Sequence, residues 1–534
     1  MAMYKKVVTA AEAVSHIPDE AFIGVCGVNV AGTAMELIDA IVDRYKAEGH
    51  PKSINFTNSG NNAYIKPLAV EGLAGIYYAA FPSMDFKVED GGFTENNIIP
   101  VFHLTQGIGS SFYRSQASNM PHITKVGLNT YMDPRQDGGC ANQKAKDLAK
   151  ERPVVKLIEL DGEEYLHIDL PPITVALIRG TSADSDGNLS DYDEAIKNEI
   201  LPLAMAAHNN GGIVIAQVKN IVEPGDIDAA DVAVPGMLVD YVVRCTDTLK
   251  WHPQCLGQAE VHPGLTGHMR VAKEMIPFEV WRPQGGSRMV SARRATQELW
   301  PGCICNVGVG IPMGITYIIA EEDVQDMYYQ TIELGAIGGY TSGGFYFSTA
   351  FNARAYLRHY EMFDFIDGGG LDIAFLGAAE VGEDGSVNVT RIKGHTIGSG
   401  GFLHISTHTK KVVFMCTHTA GGKDELEDGK LKILNPGKPE KFVKQVEQVS
   451  FNGKEAAKAG KEVMYVTERA VFRLIDGKLT LVEYAPGLDI EKDIIGMMNF
   501  RPEISKDLKP MPDWCFDTEN KIGLKEKWEK LLGN

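Results

Sequence analysis

No run of about 18 consecutive apolar residues occurs anywhere in the 534-residue chain, so no segment reads as a membrane-spanning helix. Cysteine is scarce and scattered. There are eight, and the closest pair, Cys303 and Cys305, sits in an apolar segment with no second pair of ligands nearby. That spacing argues against a zinc site or a disulfide framework and for reduced, structural thiols. Positive charge is also short: 52 Lys and Arg against 70 Asp and Glu leave a formal net charge of −18. Nucleic acid and an anionic membrane are therefore poor partners, and an anionic ligand needs local cations or helix N-termini to hold it. The segment Met1–Lys6 leads into an Ala- and Glu-containing stretch without an apolar signal core, and the expectation is a cytoplasmic enzyme.

An apolar fraction of 44% and 56 glycines suit an α/β protein with many tight strand–helix turns. The length exceeds what one core supports, so two domains of roughly 250 residues each are expected. A faint repeat agrees. Ala10, Ala13, Pro18, the apolar run Phe22–Cys26 and Gly27 reappear as Ala292, Ala295, Pro301, Cys303–Val307 and Gly310. Pro18 to Pro301 and Gly27 to Gly310 share one offset, and the alanine pairs differ from it by one residue. Val175-Ala176-Leu177-Ile178 followed by Asp186-Gly187 is likewise echoed by Ile373-Ala374-Phe375-Leu376 followed by Asp384-Gly385. Two matches in the same order predict two similarly folded halves; chance likeness between α/β strands is the alternative.

Ala34, Leu37, Ile38, Ile41, Val42 and Tyr45 recur at helical spacing, and strands are predicted at Ser53–Phe56, Thr174–Ile178, Ile213–Val218 and Leu238–Val243. Such alternation points to open, mainly parallel sheets covered by helices. The pattern dissolves from Gln258 to Gly286, the expected linker, giving domains at 1–257 and 287–534. Later, Ala470–Leu474, Asp476-Gly477 and Leu479–Val482 read as a hairpin. The proline-punctuated tail 502–512 closes on a short Lys-rich helix.

Glu333 is the most informative single residue. It follows Met327–Ile332, which reads as a buried strand, and precedes Gly335, Gly338 and Gly339. Glycine beyond a strand-end carboxylate removes side-chain cover and leaves the acid open to a reactant. A surface glutamate before a glycine-rich turn is the alternative. Glycine clusters flank it: Asn306-Val307-Gly308-Val309-Gly310-Ile311-Pro312 between a strand and a helix, then Asp367-Gly368-Gly369-Gly370 and Gly398-Ser399-Gly400-Gly401-Phe402. Backbone N–H groups of such turns suit an anion or a carbonyl oxygen gaining charge. A dinucleotide site is the rival. Gly308-x-Gly310 is followed by Gly314, with an acid about 25 residues on, but Pro312 stands in the turn and the spacing is off.

Glu333-x-Gly335-x-x-Gly338-Gly339 together with Gly398-x-Gly400-Gly401-Phe402 resembles the paired signature of class I CoA-transferases. Asp133-Pro134-Arg135, Gly368-Gly369-Gly370-Leu371-Asp372 and Thr467-Glu468-Arg469 narrow the resemblance to acetate/propionate (short-chain acyl) CoA-transferases with two CoA-transferase-type α/β domains fused in one chain. The resemblance implies that Glu333 is the nucleophile, with Val307, Gly308, Val309 and Gly310 associated with CoA. It places Gly398, Gly400 and Gly401 at the oxyanion hole, Gly398 also on the cofactor side, and Gln106 beside the carboxylate substrate. It implies CoA as a substrate, short-chain carboxylates as partners, no metal or permanently bound cofactor, and a homo-oligomer, dimer or tetramer. A glutamate is ordinarily anionic at neutral pH and needs no separate base to attack a thioester. A thioesterase, an NAD-dependent oxidoreductase using the 308–314 turn, and a ligand-sensing module are the other readings. Three segments depart from the family: Met35-Glu36, Ala80-Phe81-Pro82 and Gly138-Gly139-Cys140. They put the identity of the acyl group in doubt and leave the reaction class standing.

Overall fold

The computed structural model describes residues 6–60, 63–82, 94, 96–255, 263–283 and 285–533. Two open sheets organise it. The N-terminal sheet has nine strands; its path runs Val7–Val8, Tyr241–Arg244, Ile213–Val222, Val175–Asp184, Phe22–Val25, Ile54–Asn58, Ala74–Ala79, Val101–His103. All neighbours on that path are parallel, and Leu189–Ser190 folds back antiparallel on Val175–Asp184. The C-terminal sheet has ten strands, with a parallel centre of Tyr329–Thr331, Ile304–Val307, Ile373–Gly377, Lys411–Met415 and Glu462–Val466 and antiparallel pairs on both sides of it. Buried on both faces, the parallel strands read as near-continuous apolar runs.

The repeat is topological. Phe22–Val25 lies between Val175–Asp184 and Ile54–Asn58, as Ile304–Val307 lies between Ile373–Gly377 and Tyr329–Thr331. Gly24 faces Ala176 and Asn306 faces Ala374, so the ladders follow the offset of the alanine pairs and not that of Pro18 and Gly27. The turns differ by one residue; the strands do not.

The amphipathic segment forms the helix Met35–Glu48, burying Leu37, Ile38, Ile41 and Val42 and ending on left-handed Gly49. Several boundaries move. Val175–Asp184 and Ile213–Val222 run longer than predicted, because their nine-residue pairing continues past the apolar positions. Leu238 belongs to a short 3-10 helix, and the strand starts at Tyr241. Before Glu333 only Tyr329–Thr331 is strand. The hairpin forms as Ala470–Ile475 and Lys478–Tyr484 around left-handed Asp476 and Gly477. Glu503–Pro510, within the proline-punctuated tail, is an edge strand; the prolines fall just before it, at its end and beyond it. The Lys-rich helix is Leu524–Leu531.

Residues 258–262 and 284 of the expected linker lie outside the described residues. Its remainder packs firmly: Leu265, Ile276 and Trp281 are buried with Ala320, Tyr340 and Phe351, and the Trp281 indole N–H donates to Gly343 O at 3.3 Å. The helix Gly286–Thr296 follows directly. If this strap is part of the C-terminal fold, Trp281→Ala costs about 3–5 kcal/mol of stability in denaturant titration and opens 263–283 to protease. Unchanged stability and proteolysis would mark it as a loose connection.

Candidate active site

Glu333 is presented by a tight turn. Thr331 pairs with Ile337, Ile332 N–H donates to Ala336 O (3.0 Å), and Gly335 N–H closes back on Ile332 O (2.9 Å), leaving Glu333 near the tip. The glycines behind it do something other than uncover the acid. A Cβ on Gly335 (φ 106°) would lie 2.0 Å from Leu357 O, and one on Gly339 (φ 70°) 2.3 Å from Phe351 O. They let the backbone of 350–357 approach the turn closely, and neither they nor Gly338 line the cavity. The expectation of glycine as an opening for reactant is thus corrected: here glycine fixes the turn.

Glu333 lines a cavity of about 400 Å³, and its carboxylate has no hydrogen bond or ion pair among the described residues. Val307, Gly308, Val309, Gln106, Gly398, Gly400 and Gly401 share that wall; Gly310 does not, being set in the turn with open space beside its Cα. The Gly308 N–H is already donated to Phe375 O (2.8 Å), and Gly314 is a contact point, its absent Cβ falling 2.7 Å from that of Ala292. Gly308 and Gly314 therefore serve strand and helix packing, and Gly310 (φ 83°) serves the turn.

The loop 398–401 is held by the other half of the molecule. Ser399 N–H donates to His103 Nε2 (2.9 Å), and the Ser399 and Tyr131 hydroxyls share a hydrogen bond (3.0 Å). Gly400 N–H donates to Ala80 O (3.3 Å), and Gly400 O accepts from Gln106 N–H (3.0 Å). Gly398 (φ 140°) lies under Phe81, where a Cβ would meet the ring at 2.6 Å. Gly401 begins the helix Phe402–His408, and its N–H has no partner among the described residues. A Cβ on Gly401 would sit 3.4 Å from Glu333 Cγ, so the Gly401 backbone lies close to the acid. Of the three glycines expected at an oxyanion hole, Gly400 has its N–H engaged, and those of Gly398 and Gly401 have no partner among the described residues.

Asn306 was missed by sequence reading. Fully buried in the cavity wall, it donates to Thr331 O (3.3 Å) and leaves Oδ1 unpaired. Its place one residue before the glycine turn was the available signal. Lys441 also reaches the cavity from a distant segment that carries no motif. Of the three departing segments only Phe81 lines the cavity. Glu36 accepts the backbone N–H and hydroxyl of Thr246, and Gly139 O accepts His103 N–H; both are structural ties. So are the other motifs: Asp133 and Glu164 bracket Arg135, Asp372 accepts Ile304 N–H, and buried Arg469 pairs with Asp424. All eight cysteines are buried and none is disulfide-bonded. Among the described residues no group of three or more His, Cys, Asp or Glu is placed to hold a metal, and no helix is long and apolar enough to cross a membrane.

The Coenzyme A transferase family model matches residues 7–244. The chain is 39% identical to the caffeate CoA-transferase of Acetobacterium woodii, over 98% of each sequence. The chain belongs to the family I CoA-transferases. The acetate CoA-transferase YdiF of Escherichia coli O157:H7 is 38% identical over 96% of this chain and 95% of its own. The crystal structure of that E. coli acyl-CoA transferase superposes with a TM-score of 0.88 at 37% identity, covering 97% of both chains. This CoA-transferase is thus an α/β enzyme of two parallel-sheet domains acting in acyl-CoA metabolism, with CoA as a substrate.

Burial, with a smaller contribution from the Arg391 cation, pushes the pKa of His103 down to about 3, so at neutral pH it is the acceptor that Ser399 N–H requires. The unfolded chain takes up this proton near pH 6.5 and the folded chain does not. Stability therefore falls as pH drops from about 6.5 toward 3, by up to about 1.4 kcal/mol per pH unit for this group. His122 and His418, both pushed down to about 4 chiefly by burial, act in the same direction. In His103→Gln the loss of stability between about pH 6 and 4 is less steep than in the native enzyme. Equal slopes in urea titrations would show that His103 does not carry this linkage.

Proposed function

We propose that this CoA-transferase moves CoA from a short-chain acyl-CoA to a free carboxylic acid of the acetate, propionate and butyrate class, through a covalent adduct on Glu333. The observation that carries the reading is the unpaired Glu333 carboxylate on a residue of the cavity wall, close to Gly401, whose N–H has no partner among the described residues. The carboxylate attacks the thioester carbonyl. The tetrahedral oxyanion collapses to an acyl-glutamyl anhydride and expels CoA thiolate. The thiolate then attacks the glutamyl carbonyl, giving a glutamyl-CoA thioester and releasing the donor acid; the acceptor acid reverses the sequence. Each tetrahedral oxyanion needs a donor. Gly401 N–H fills this role, and one such donor is worth about 3 kcal/mol. The E. coli relative was also solved as a thioester complex with CoA, at 36% identity and a TM-score of 0.88, which supports the adduct. Gln106, which lines the same cavity, serves as the polar group for the acid, and the Val307–Val309 wall serves the thiol end of CoA.

Relatives of near-equal identity bear acetate and caffeate in their names, so likeness does not choose the acid. The lining does better. Phe81, Met313, Leu334, Phe347, Ile397 and Ile405 make much of it apolar, which favours simple or apolar-substituted acids over hydroxy acids.

With acyl-CoA and no acceptor, mass spectrometry of the peptides finds CoA on Glu333, and initial rates give parallel double-reciprocal lines. Glu333→Gln keeps the fold and loses about three orders of magnitude or more in activity. Intersecting lines with an unmodified peptide would contradict the mechanism, and steady release of free CoA and acid without acceptor would indicate a thioesterase. For selectivity, kcat/KM for acetate, propionate and butyrate exceeds that for lactate, and Phe81→His narrows the gap by about 1–3 kcal/mol. The same ranking and spacing in both proteins would remove Phe81 from the acyl pocket.

A further inference from the structure

Gln106 does not stand alone at the cavity. Its amide nitrogen Nε2 lies 2.9 Å from His359 Nε2, and His359 Nδ1 lies 2.8 Å from Glu199 Oε2. Gln106 is 3% exposed, His359 and Glu199 0%. The chain crosses between halves twice here, since Gln106 and Glu199 belong to the N-terminal half and His359 opens the C-terminal helix His359–Asp367. His359 is pinned again through its backbone, whose N–H donates to Lys197 O (2.9 Å).

We propose that Glu199 and His359 are positioning residues for Gln106, a carboxylate–histidine relay that sets which way its amide faces. The Glu199 carboxylate accepts the Nδ1–H of His359, which leaves Nε2 with a lone pair, and that lone pair accepts one of the two Gln106 amide hydrogens. The amide can no longer rotate about its last bond. Its second N–H and its Oε1 have no partner among the described residues and are left to the cavity, Oε1 passing 3.4 Å from where a Cβ on Gly400 would stand. A buried acid costs several kcal/mol unless paired, so a Glu199 with a single histidine partner and an unpaired Oε1 is expensive to keep for packing alone.

A second relay fixes where the same helix starts. Asp367 accepts from His404 Nδ1 (2.8 Å), and His404 Nε2 lies 2.6 Å from Thr105 Oγ1, the residue that caps the helix Gln106–Ala117. Burial alone would raise the Asp367 carboxyl, yet His404 and His408 beside it hold it well below the ordinary range. Gly107 must be glycine, because a Cβ there would lie 2.4 Å from the His404 ring. One relay places the helix end, and the other orients the side chain that this end presents.

The proposal rests on the reaction proposed at Glu333, and its test separates the two. The enzyme is charged with acetyl-CoA, and kcat/KM for propionate is measured in native protein, Gln106→Ala, His359→Leu, Glu199→Gln and the two double variants with Gln106→Ala. His359→Leu loses about ten- to hundredfold, mainly through a higher KM for the acid, and Glu199→Gln, which keeps an acceptor, loses less. In the Gln106→Ala background either change adds less than about twofold, because its effect passes through the missing amide. Losses that multiply in the double variants, or a native-like kcat/KM in His359→Leu, overturn the relay. If His359→Leu does not fold, the Glu199→Gln cycle decides in the same way. Absence of a Glu333–CoA peptide in the native enzyme overturns the reaction itself, whatever the cycles give.

Discussion

Four backbone atoms join the two halves at the wall of the cavity that Glu333 lines. Gln106 N–H reaches Gly400 O and Gly400 N–H reaches Ala80 O, so a glycine of the C-terminal half is hydrogen-bonded on both sides by the N-terminal half. With Ser399 tied to His103 and Tyr131, the loop 398–401 cannot shift without breaking several buried hydrogen bonds, each expensive to leave unmade. The consequence is geometric. Once Gly400 is engaged at the interface, the next N–H, that of Gly401, is left without a partner among the described residues, on a cavity-lining glycine close to Glu333. A preorganised donor needs no reorganisation during reaction, which is where most of its value lies.

The same interface explains why one core cluster runs through both halves. Ile108 and Phe112 of the helix beginning at Gln106 pack in the same cluster as Met362 and Phe363 of the helix beginning at His359 and Leu403 of the helix beginning at Phe402. These three helices bring Gln106, His359 and Gly401 together at their N-terminal ends. Apolar packing sets the helices against one another, and the buried histidines His359 and His404 fix their ends through charge-assisted hydrogen bonds that tolerate little displacement. Most of the residues that mark the family in sequence, such as Asp133, Arg135 and Arg469, serve this scaffold at a distance from the cavity.

Much of this was legible in the residues. The paired alanines and the Val175–Ile178 and Ile373–Leu376 echoes located both sheets, because buried parallel strands write themselves as apolar runs. Glu333 and the glycines 398–401 converge on one cavity, Glu333 in the turn after Tyr329–Thr331 and Gly401 at the start of the helix Phe402–His408. What could not be read was which backbone groups meet across the halves. Gly335 and Gly339 look like exposed turn glycines until the 350–357 backbone is placed against them. Nothing local distinguishes Gly400 from Gly401, since only the carbonyl of Ala80 decides which N–H is free. His359 and Glu199 carry no motif at all, and their meaning comes from Gln106, far away in the chain.

Stabilisation of the oxyanion at Glu333 depends on where the thioester oxygen goes. A crystal structure of the enzyme charged with acyl-CoA in the absence of acceptor measures it directly. The expected result is continuous density from the Glu333 carbonyl to the CoA sulfur, with the carbonyl oxygen within about 3 Å of Gly401 N and the Gly400 hydrogen bonds to Ala80 and Gln106 intact. An oxygen directed away from Gly401, or a loop released from Ala80 and Gln106 in the charged enzyme, would contradict it.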